Sequence, residues 1–255
     1  MKTLKCLITF ALVAILFTAT SCLDIVEEMS LNKDGSGVFT YTIDMSKSMD
    51  LLLALGESES EEAISTAEED SPVEMDSTAN FYELMKNEPD FQIDNPEFWK
   101  KANLHIQMSE SQGLGKISFI IHFDDFDDIS YFFENLNQMG QEEDAEDGFS
   151  QMLSMASGGT GFNFTELYRF EKNKFTRFKQ QQSGWDELPE EDVQLIKLMV
   201  GSGTYTTIYH LPGKVKKASH SGSEISPDQS TVTVTHNMLD YMEGRVSFEN
   251  KIKFK

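Results

Sequence analysis

The first 22 residues limit what the rest of this chain can be, because they have the pattern of an export signal. Lys2 and Lys5 precede a short apolar run, 7–17, and small or hydroxylated residues then lead to Cys22. A basic start, a short apolar core and small residues before a cut are the features of a cleaved signal peptide. A cysteine at the cut is typical of bacterial lipoproteins. We therefore predict a lipoprotein signal peptide over residues 1–21 and a lipidated Cys22.

Two other interpretations of this stretch stay open, namely secretion without a lipid and a retained transmembrane anchor. The apolar run is shorter than the ~20 residues that a helix needs to cross a bilayer, which disfavours the anchor. Several acyl chains on one cysteine hold a protein firmly to a membrane, whereas a single chain binds reversibly. We expect residues 22–255 to be a lipid-anchored, extracytoplasmic protein of the bacterial cell envelope, on either the inner or the outer membrane.

The charge and the cysteines of the chain exclude several functions. The formal net charge is −22, from 43 acidic and 21 basic side chains. Nucleic-acid phosphates are bound by clustered Lys and Arg, so we predict no nucleic-acid partner. The same charge disfavours anionic lipid surfaces, and membrane attachment is expected to depend on the lipid. Because Cys6 lies in the signal and Cys22 carries the lipid, the mature protein is expected to lack disulfides and cysteine chemistry.

A β-hairpin is predicted directly after the anchor. Residues 23–31 and 38–44 contain alternating apolar and polar side chains, with Asp34 and Gly35 between them. An Asp-Gly pair between alternating runs is a strong hairpin signal. Asn32 and Asp34 also suggest a calcium loop, but the further carboxylates that such a loop requires do not follow.

The middle of the chain predicts a second hairpin and a helix. Residues 101–109 and 116–124 alternate in the same way, and residues 124–139 have the apolar spacing of a helix. Aspartates at the start of this helix suggest a metal site. We prefer the interpretation that Asp124 or Asp125 caps the helix, because carboxylates there satisfy free backbone N–H groups and suit the helix dipole.

Further helices and two inserts complete this part of the prediction. Helices are predicted over residues 45–56, 80–86 and 188–201. Two acidic segments, at about 57–78 and 139–161, bury too little apolar surface to offset the entropy of ordering, so we predict flexible inserts. Cation binding by the first insert is the alternative. The Gly-Gly-Thr-Gly sequence in the second lacks the lysine of a phosphate-binding loop.

Residues 162–179 alternate aromatic and polar side chains and predict two strands. Five basic residues lie in this stretch, namely Arg169, Lys172, Lys174, Arg177 and Lys179. Basic residues among aromatic ones suit single-stranded nucleic acid, but the charge of the whole protein opposes such binding. We interpret them as balancing the acidic inserts.

The last third predicts four strands, over residues 204–210, 215–220, 231–236 and 245–253. Helices between hairpins imply an antiparallel sheet that is covered on one face. The predicted fold class is therefore α+β, in a single mature domain. Its antiparallel sheet is built from hairpin–helix units with a C-terminal four-strand meander, and the helices pack on one face.

Three turn sequences carry a family resemblance. The turn at Leu211–Val215, the stretch Ser226–Thr235 and the turn at Asp34–Gly37 resemble the LppM-like domains of bacterial lipoproteins. The resemblance covers the two ends of the mature chain and leaves its middle uncovered. It implies a membrane-tethered, non-enzymatic envelope domain with lipids or glycolipids among its candidate contacts, and it carries over no catalytic residue.

Two of the histidines are candidate metal ligands. His105 and His122 fall on the facing strands of the second hairpin, on the face opposite its core residues. They are predicted as a cross-strand surface pair that a nearby aspartate would complete. Two histidines without a third ligand are weak evidence, so we predict no metal site and no cofactor. The sequence contains neither HExxH nor GxSxG, and we assign no catalytic residue.

These observations favour a lipid-anchored, non-enzymatic binding or structural module. Its partner is expected to be a lipid, a glycan or an envelope protein. The main alternative is an extracytoplasmic hydrolase without a recognisable motif, since so acidic a chain juxtaposes carboxylates in almost any fold. A third hypothesis is an assembly accessory whose acidic inserts become ordered against a basic partner.

Overall fold

The structure is a computed structural model of the chain. It describes residues 23–48, 74–86, 94–139, 163–180, 190, 193–194, 197 and 200–255. The predicted signal peptide and Cys22 lie outside the described residues. So do most of the helix predicted over 45–56, the first insert up to residue 73 and the second insert beyond Met139.

Twelve strands form two sheets among the described residues. The larger sheet contains β1 (Asp24–Leu31), β2 (Gly37–Asp44), β3 (Glu74–Asn80), β4 (Ala102–Ser109), β5 (Leu114–Phe123), β8 (Thr204–His210), β10 (Glu224–Ile225) and β11 (Thr231–Asn237). The smaller contains β6 (Tyr168–Glu171), β7 (Lys174–Arg177), β9 (Val215–Lys217) and β12 (Asn250–Phe254). Their orders are β10-β11-β8-β1-β2-β5-β4-β3 and β6-β7-β12-β9. All pairs are antiparallel except β1 with β8.

The first hairpin is confirmed, and its turn explains its register. Gly35 adopts a φ of 96°, which suits glycine. The Oδ1 atom of Asp34 accepts a hydrogen bond from the N–H of Ser36 at 3.1 Å, and the N–H of Asn32 donates to the Ser36 carbonyl at 2.8 Å. Apolar side chains at alternate positions of β1 and β2 then face the core.

Four helices accompany the sheets in the described chain, namely α1 (Phe81–Met85), α2 (Pro96–Trp99), α3 (Phe126–Met139) and α4 (Met238–Met242). The side chains of Asn80, Asn95 and Asn237 cap α1, α2 and α4. At the start of α3, Oδ1 of Asp125 accepts from the N–H of Asp127 at 2.9 Å, as the capping interpretation predicts. The described residues between 190 and 200 are also helical.

The helices and the smaller sheet cover one face of the larger sheet. Phe133 of α3 contacts the rings of Phe39 and Tyr41 on β2, and Phe175 of β7 packs 4.8 Å from Tyr209 on β8. The α+β class and the one-sided packing of the helices are therefore confirmed.

The predicted C-terminal meander needs a correction. Its four strands are present, but β8 and β11 belong to the larger sheet, whereas β9 and β12 belong to the smaller one. After β8 the chain turns at Gly213, and Lys214 then exchanges backbone hydrogen bonds with Lys255. A Cβ atom on Gly213 would lie 2.2 Å from the Lys255 carbonyl oxygen, so the turn requires glycine.

Two further segments differ from the prediction. Strand β3 pairs with β4 from Glu74 onward and so includes the end of the first predicted insert. Its side chains are mostly exposed, which shows that backbone pairing rather than burial orders it. Residues 163–167 form a turn rather than a strand, with Glu166 at a φ of 52°, and β6 starts only at Tyr168.

Candidate functional site

A buried carboxylate lies at the centre of the larger sheet. Glu27 occupies a core-facing position of β1, where it is the register partner of Thr207 on β8. The hydroxyl of Tyr205 donates to Oε2 of Glu27 at 2.8 Å, and that of Tyr209 donates to Oε1 at 2.6 Å. These donors lie two residues before and two residues after Thr207, on the same face of the neighbouring strand, so the strand pairing itself positions them.

The charge of Glu27 is matched by an arginine from the smaller sheet. The Nε atom of Arg177 donates to Oε1 of Glu27 at 3.2 Å, and Nη2 donates to Oε2 at 3.1 Å. Both side chains are 0% exposed. The guanidinium also lies 5.1 Å from the ring centroid of Phe248. We call Glu27, Arg177, Tyr205 and Tyr209 the buried junction, because it joins the two sheets through charge and hydrogen bonds.

Burial and charge act in opposite directions on these groups. Burial raises the pKa of Glu27, but the charge and hydrogen bonds of Arg177, with those of the two tyrosines, outweigh it and hold the pKa below 4.5. Burial and the charge of Glu27 raise the pKa values of Tyr205 and Tyr209 well above the ordinary one. Burial lowers the pKa of Arg177, but Glu27 outweighs this and raises it overall. The junction therefore holds one carboxylate, one guanidinium and two neutral phenols.

The buried junction is built for structure rather than for proton transfer. Its carboxylate accepts four hydrogen bonds, which occupies its acceptor directions. Three buried polar atoms around it lack a hydrogen-bond partner within the described part of the chain, namely Tyr168 Oη, Arg177 Nη1 and Thr207 Oγ1.

A cavity of about 440 Å³ opens beside this junction. One side of it is lined by Asn163, Thr165, Glu166, Leu167 and Arg169, and residues 178–180 line the other. Arg169 and Lys179 bring positive charge to the lining and Glu166 brings negative charge, and the Arg169 guanidinium lies 5.1 Å from the ring centroid of Phe178. The size of the cavity is in the range of small-molecule sites, and its lining combines two cations, one carboxylate, uncharged hydrogen-bonding groups and an aromatic ring.

The turn that forms the cavity wall is anchored to α3. The hydroxyl of Ser130 donates to the Phe164 carbonyl at 3.0 Å, and the Phe164 ring stacks on Phe133 at 4.2 Å. The Thr165 hydroxyl donates to Oε1 of Glu134 at 2.9 Å. These contacts fix the wall before any ligand is present.

Gln180 links the cavity to the buried junction. Its Nε2 donates to the Asn163 carbonyl at 2.5 Å, so it closes the wall across the cavity. Its Oε1 accepts from the Tyr241 hydroxyl at 2.5 Å and from Nη2 of Arg177 at 3.5 Å. One face of the cavity is thus held by the same arginine that joins the sheets.

The predicted cross-strand pairing of His105 with His122 is wrong. His105 is the register partner of Ser118, whereas the N–H of His122 donates to the carbonyl of Lys101. The strand register therefore separates the two rings by four residues along β5. Nε2 of His105 instead lies 2.8 Å from Oδ1 of Asp76 on β3.

A different pair of histidines is in contact. The Nε2 atoms of His220 and His236 lie 3.2 Å apart, between the segment that follows β9 and the end of β11. The sequence did not reveal this pair, because His220 lies in the segment after β9, whereas His236 lies on β11 of the larger sheet.

The buried junction was also missed, although the sequence holds a signal for it. Glu27 shares its strand parity with Ile25, Met29 and Leu31, which are core residues. A charged residue at such a position requires a buried partner. Arg177 is one of the cations interpreted as balancing the acidic inserts, and its complete burial corrects that interpretation.

Other candidate features can be stated for the described chain alone. Within it, no cluster of three or more His, Cys, Asp or Glu side chains is arranged to hold a metal ion. No helix among the described residues is long and apolar enough to cross a membrane.

Comparison with known proteins gives one remote similarity. No family model and no curated protein matches the chain. Among solved structures, the chain is similar to the folded domain of LppM from Mycobacterium tuberculosis, determined by NMR, with a TM-score of 0.41 and 10% sequence identity. The match covers 92% of this chain and 91% of that one.

Proposed function

We propose that this protein is a lipid-anchored, non-enzymatic binding module of the bacterial cell envelope. The observation that carries the proposal is the cavity of about 440 Å³ beside the buried junction. Its walls are fixed by hydrogen bonds to α3 and to Gln180, and such preformed concave sites are typical of ligand binding.

The chemistry of the cavity favours an anionic head group or a glycan. Arg169 and Lys179 supply two cationic donors against the single carboxylate of Glu166, while Asn163, Thr165 and Gln180 supply uncharged hydrogen-bonding groups. The hydrolase alternative has less support, since the described lining residues include a single carboxylate, that of Glu166, and no histidine, serine or cysteine. Glu27, the buried acid nearby, already accepts four hydrogen bonds.

The membrane anchor in this proposal is the lipid on Cys22. It is supported by the basic start, the short apolar run and the small residues that precede this cysteine. Growth of the host with a labelled fatty acid tests it: the full-length wild-type chain should incorporate label, and Cys22→Ser should not. Cys6→Ser is the matched control and should be labelled normally. Undiminished labelling of Cys22→Ser would exclude the anchor.

The ligand site is tested by titrating the full-length protein with a short-chain phosphatidylglycerol and, separately, with a soluble glycan fragment. Arg169→Ala and Lys179→Ala should each weaken binding of the anionic probe about tenfold, the usual cost of losing a hydrogen bond to a charged group. Lys33→Ala, at the exposed first turn, is the control and should bind as the wild type does. Equal affinities in all variants for both probes would contradict the assignment.

A further inference from the structure

His220 and His236 meet where the two sheets come together. His220 follows β9 of the smaller sheet, and His236 is the next-to-last residue of β11 in the larger sheet. Their ring centroids lie 5.1 Å apart, and both residues are half-buried. Solvent therefore reaches a contact that side chains of both sheets hold in place.

The hydrogen bonds around this pair define which nitrogen carries a proton. The N–H of Gly222 donates to Nδ1 of His220 at 3.0 Å, so a neutral His220 carries its proton on Nε2. That N–H points toward the Ser247 carbonyl at 3.0 Å and toward Nε2 of His236 at 3.2 Å. Nε2 of His236 is then an acceptor, and its lone pair is directed into the space between the rings.

The Ser247 carbonyl oxygen, which lies 3.0 Å from Nε2 of His220, is a third potential metal ligand beside this space. Two imidazole nitrogens that bind one zinc ion at 2.0–2.1 Å in tetrahedral geometry lie ~3.3 Å apart. The observed separation of 3.2 Å is close to that value.

We propose that His220 and His236 form a binding site for a divalent transition-metal ion, Zn²⁺ or Cu²⁺, which replaces the proton between the rings. Imidazole nitrogen is a preferred ligand of both ions. The Ser247 carbonyl is the third donor, and water completes the coordination. The net charge of −22 attracts cations to the protein surface.

Metal binding requires one tautomer change. His236 coordinates through the lone pair that it already presents. In His220 the proton moves from Nε2 to Nδ1 by exchange with solvent, so that Nε2 is free to coordinate, and no net proton is released. Because Nδ1 then carries a proton, it no longer accepts the hydrogen bond from Gly222. The Gly222 amide is therefore a specific reporter of the metal.

The test is a calorimetric titration of the full-length protein, purified in detergent without a histidine tag, with Zn²⁺ and separately with Cu²⁺. We expect one ion per chain, and His220→Gln and His236→Gln should each weaken binding by more than about tenfold, because even outer-shell changes cost that much. His105→Gln is the matched control, since His105 is also part-exposed and contacts a carboxylate. It should bind both ions as the wild type does.

A second measurement does not depend on any variant. In the wild-type protein, Zn²⁺ should shift the Gly222 amide resonance far more than that of Gly113, which lies in an open turn. The proposal is overturned if the pair variants bind both ions like the wild type, if His105→Gln weakens binding as much, or if the Gly222 resonance does not move at saturation. Should either pair variant fail to fold, the Gly222 resonance decides alone.

Discussion

Two of the polar contacts between the sheets of this protein differ in almost every physical respect. Glu27 and Arg177 are fully buried, charged and bound by several hydrogen bonds, whereas His220 and His236 are half-buried and share a single contact. A charge far from water is tolerated only when its partners satisfy it. We therefore expect the first contact to hold the fold together, and the second to exchange its partner without unfolding the chain.

The cavity is connected to the buried ion pair between Glu27 and Arg177. Gln180 receives a hydrogen bond from Arg177 and closes the cavity wall at Asn163. A ligand site held by a fully buried ion pair should change its structure little when a ligand binds, which lowers the entropic cost of binding.

Breaking the ion pair between Glu27 and Arg177 should have the largest effect on the free energy of unfolding. Arg177→Met leaves the Glu27 carboxylate buried without its counter-ion and should lower the free energy of unfolding by about 3–5 kcal/mol. Urea denaturation measures this, with Arg169→Met as a matched control on the exposed surface, expected within about 0.5 kcal/mol of the wild type. If Arg177→Met is too unstable to study, the double variant Glu27→Leu/Arg177→Met should be more stable than the single one, because no buried charge remains unpaired. Wild-type stability of Arg177→Met would refute the structural role.

Lowering the pH should gradually remove the stabilisation that the Glu27 carboxylate provides. The folded-state pKa of Glu27 lies below its ordinary value of 4.5, so its contribution is fully present above that pH and is lost as the pH falls through the folded-state pKa. The stability difference between wild type and Glu27→Gln should therefore shrink below pH 4.5 and be constant from there to neutral pH. Urea denaturation at a series of pH values measures it. A difference that grows on acidification would show that Glu27 is protonated more readily in the folded chain.

The same comparison explains what could be predicted from the sequence. Both hairpins were found because their signals are local: Asp34 and Gly35 form the first turn, and apolar side chains alternate on either side of it. The division of the last four strands was not found, because it depends on Lys255 pairing with Lys214, far away in the chain. The partner of Glu27 could not be predicted either. The core-facing position of Glu27 on β1 indicates a buried charge, but no local sequence pattern identifies Arg177 as its partner.

The tyrosines of the buried junction should contribute less than its ion pair. Tyr209→Phe removes a hydrogen bond to a charged carboxylate, and bonds of that kind contribute about 1.5–3 kcal/mol. Tyr168→Phe is the matched control in the same core, since its hydroxyl has no hydrogen-bond partner among the described residues. We expect it to be neutral or slightly stabilising in thermal and urea unfolding. Equal losses from both substitutions would mean that ring packing, rather than the hydrogen bond to Glu27, accounts for the effect.

The histidine contact should contribute least to stability. His236→Gln removes one half-exposed hydrogen bond between neutral groups, so the free energy of unfolding at neutral pH should fall by no more than about 1 kcal/mol. His105→Gln, on the open side of β4, is expected to change it by less than about 0.5 kcal/mol. A loss as large as that of Arg177→Met would mean that the two contacts contribute equally to the stability of the fold. A ligand that binds only the folded state stabilises that state by mass action, so Zn²⁺ should raise the melting temperature of the wild type but not that of His236→Gln. That result, together with a small loss of stability in His236→Gln, would show that the ion pair stabilises the fold and that the histidine pair binds a ligand.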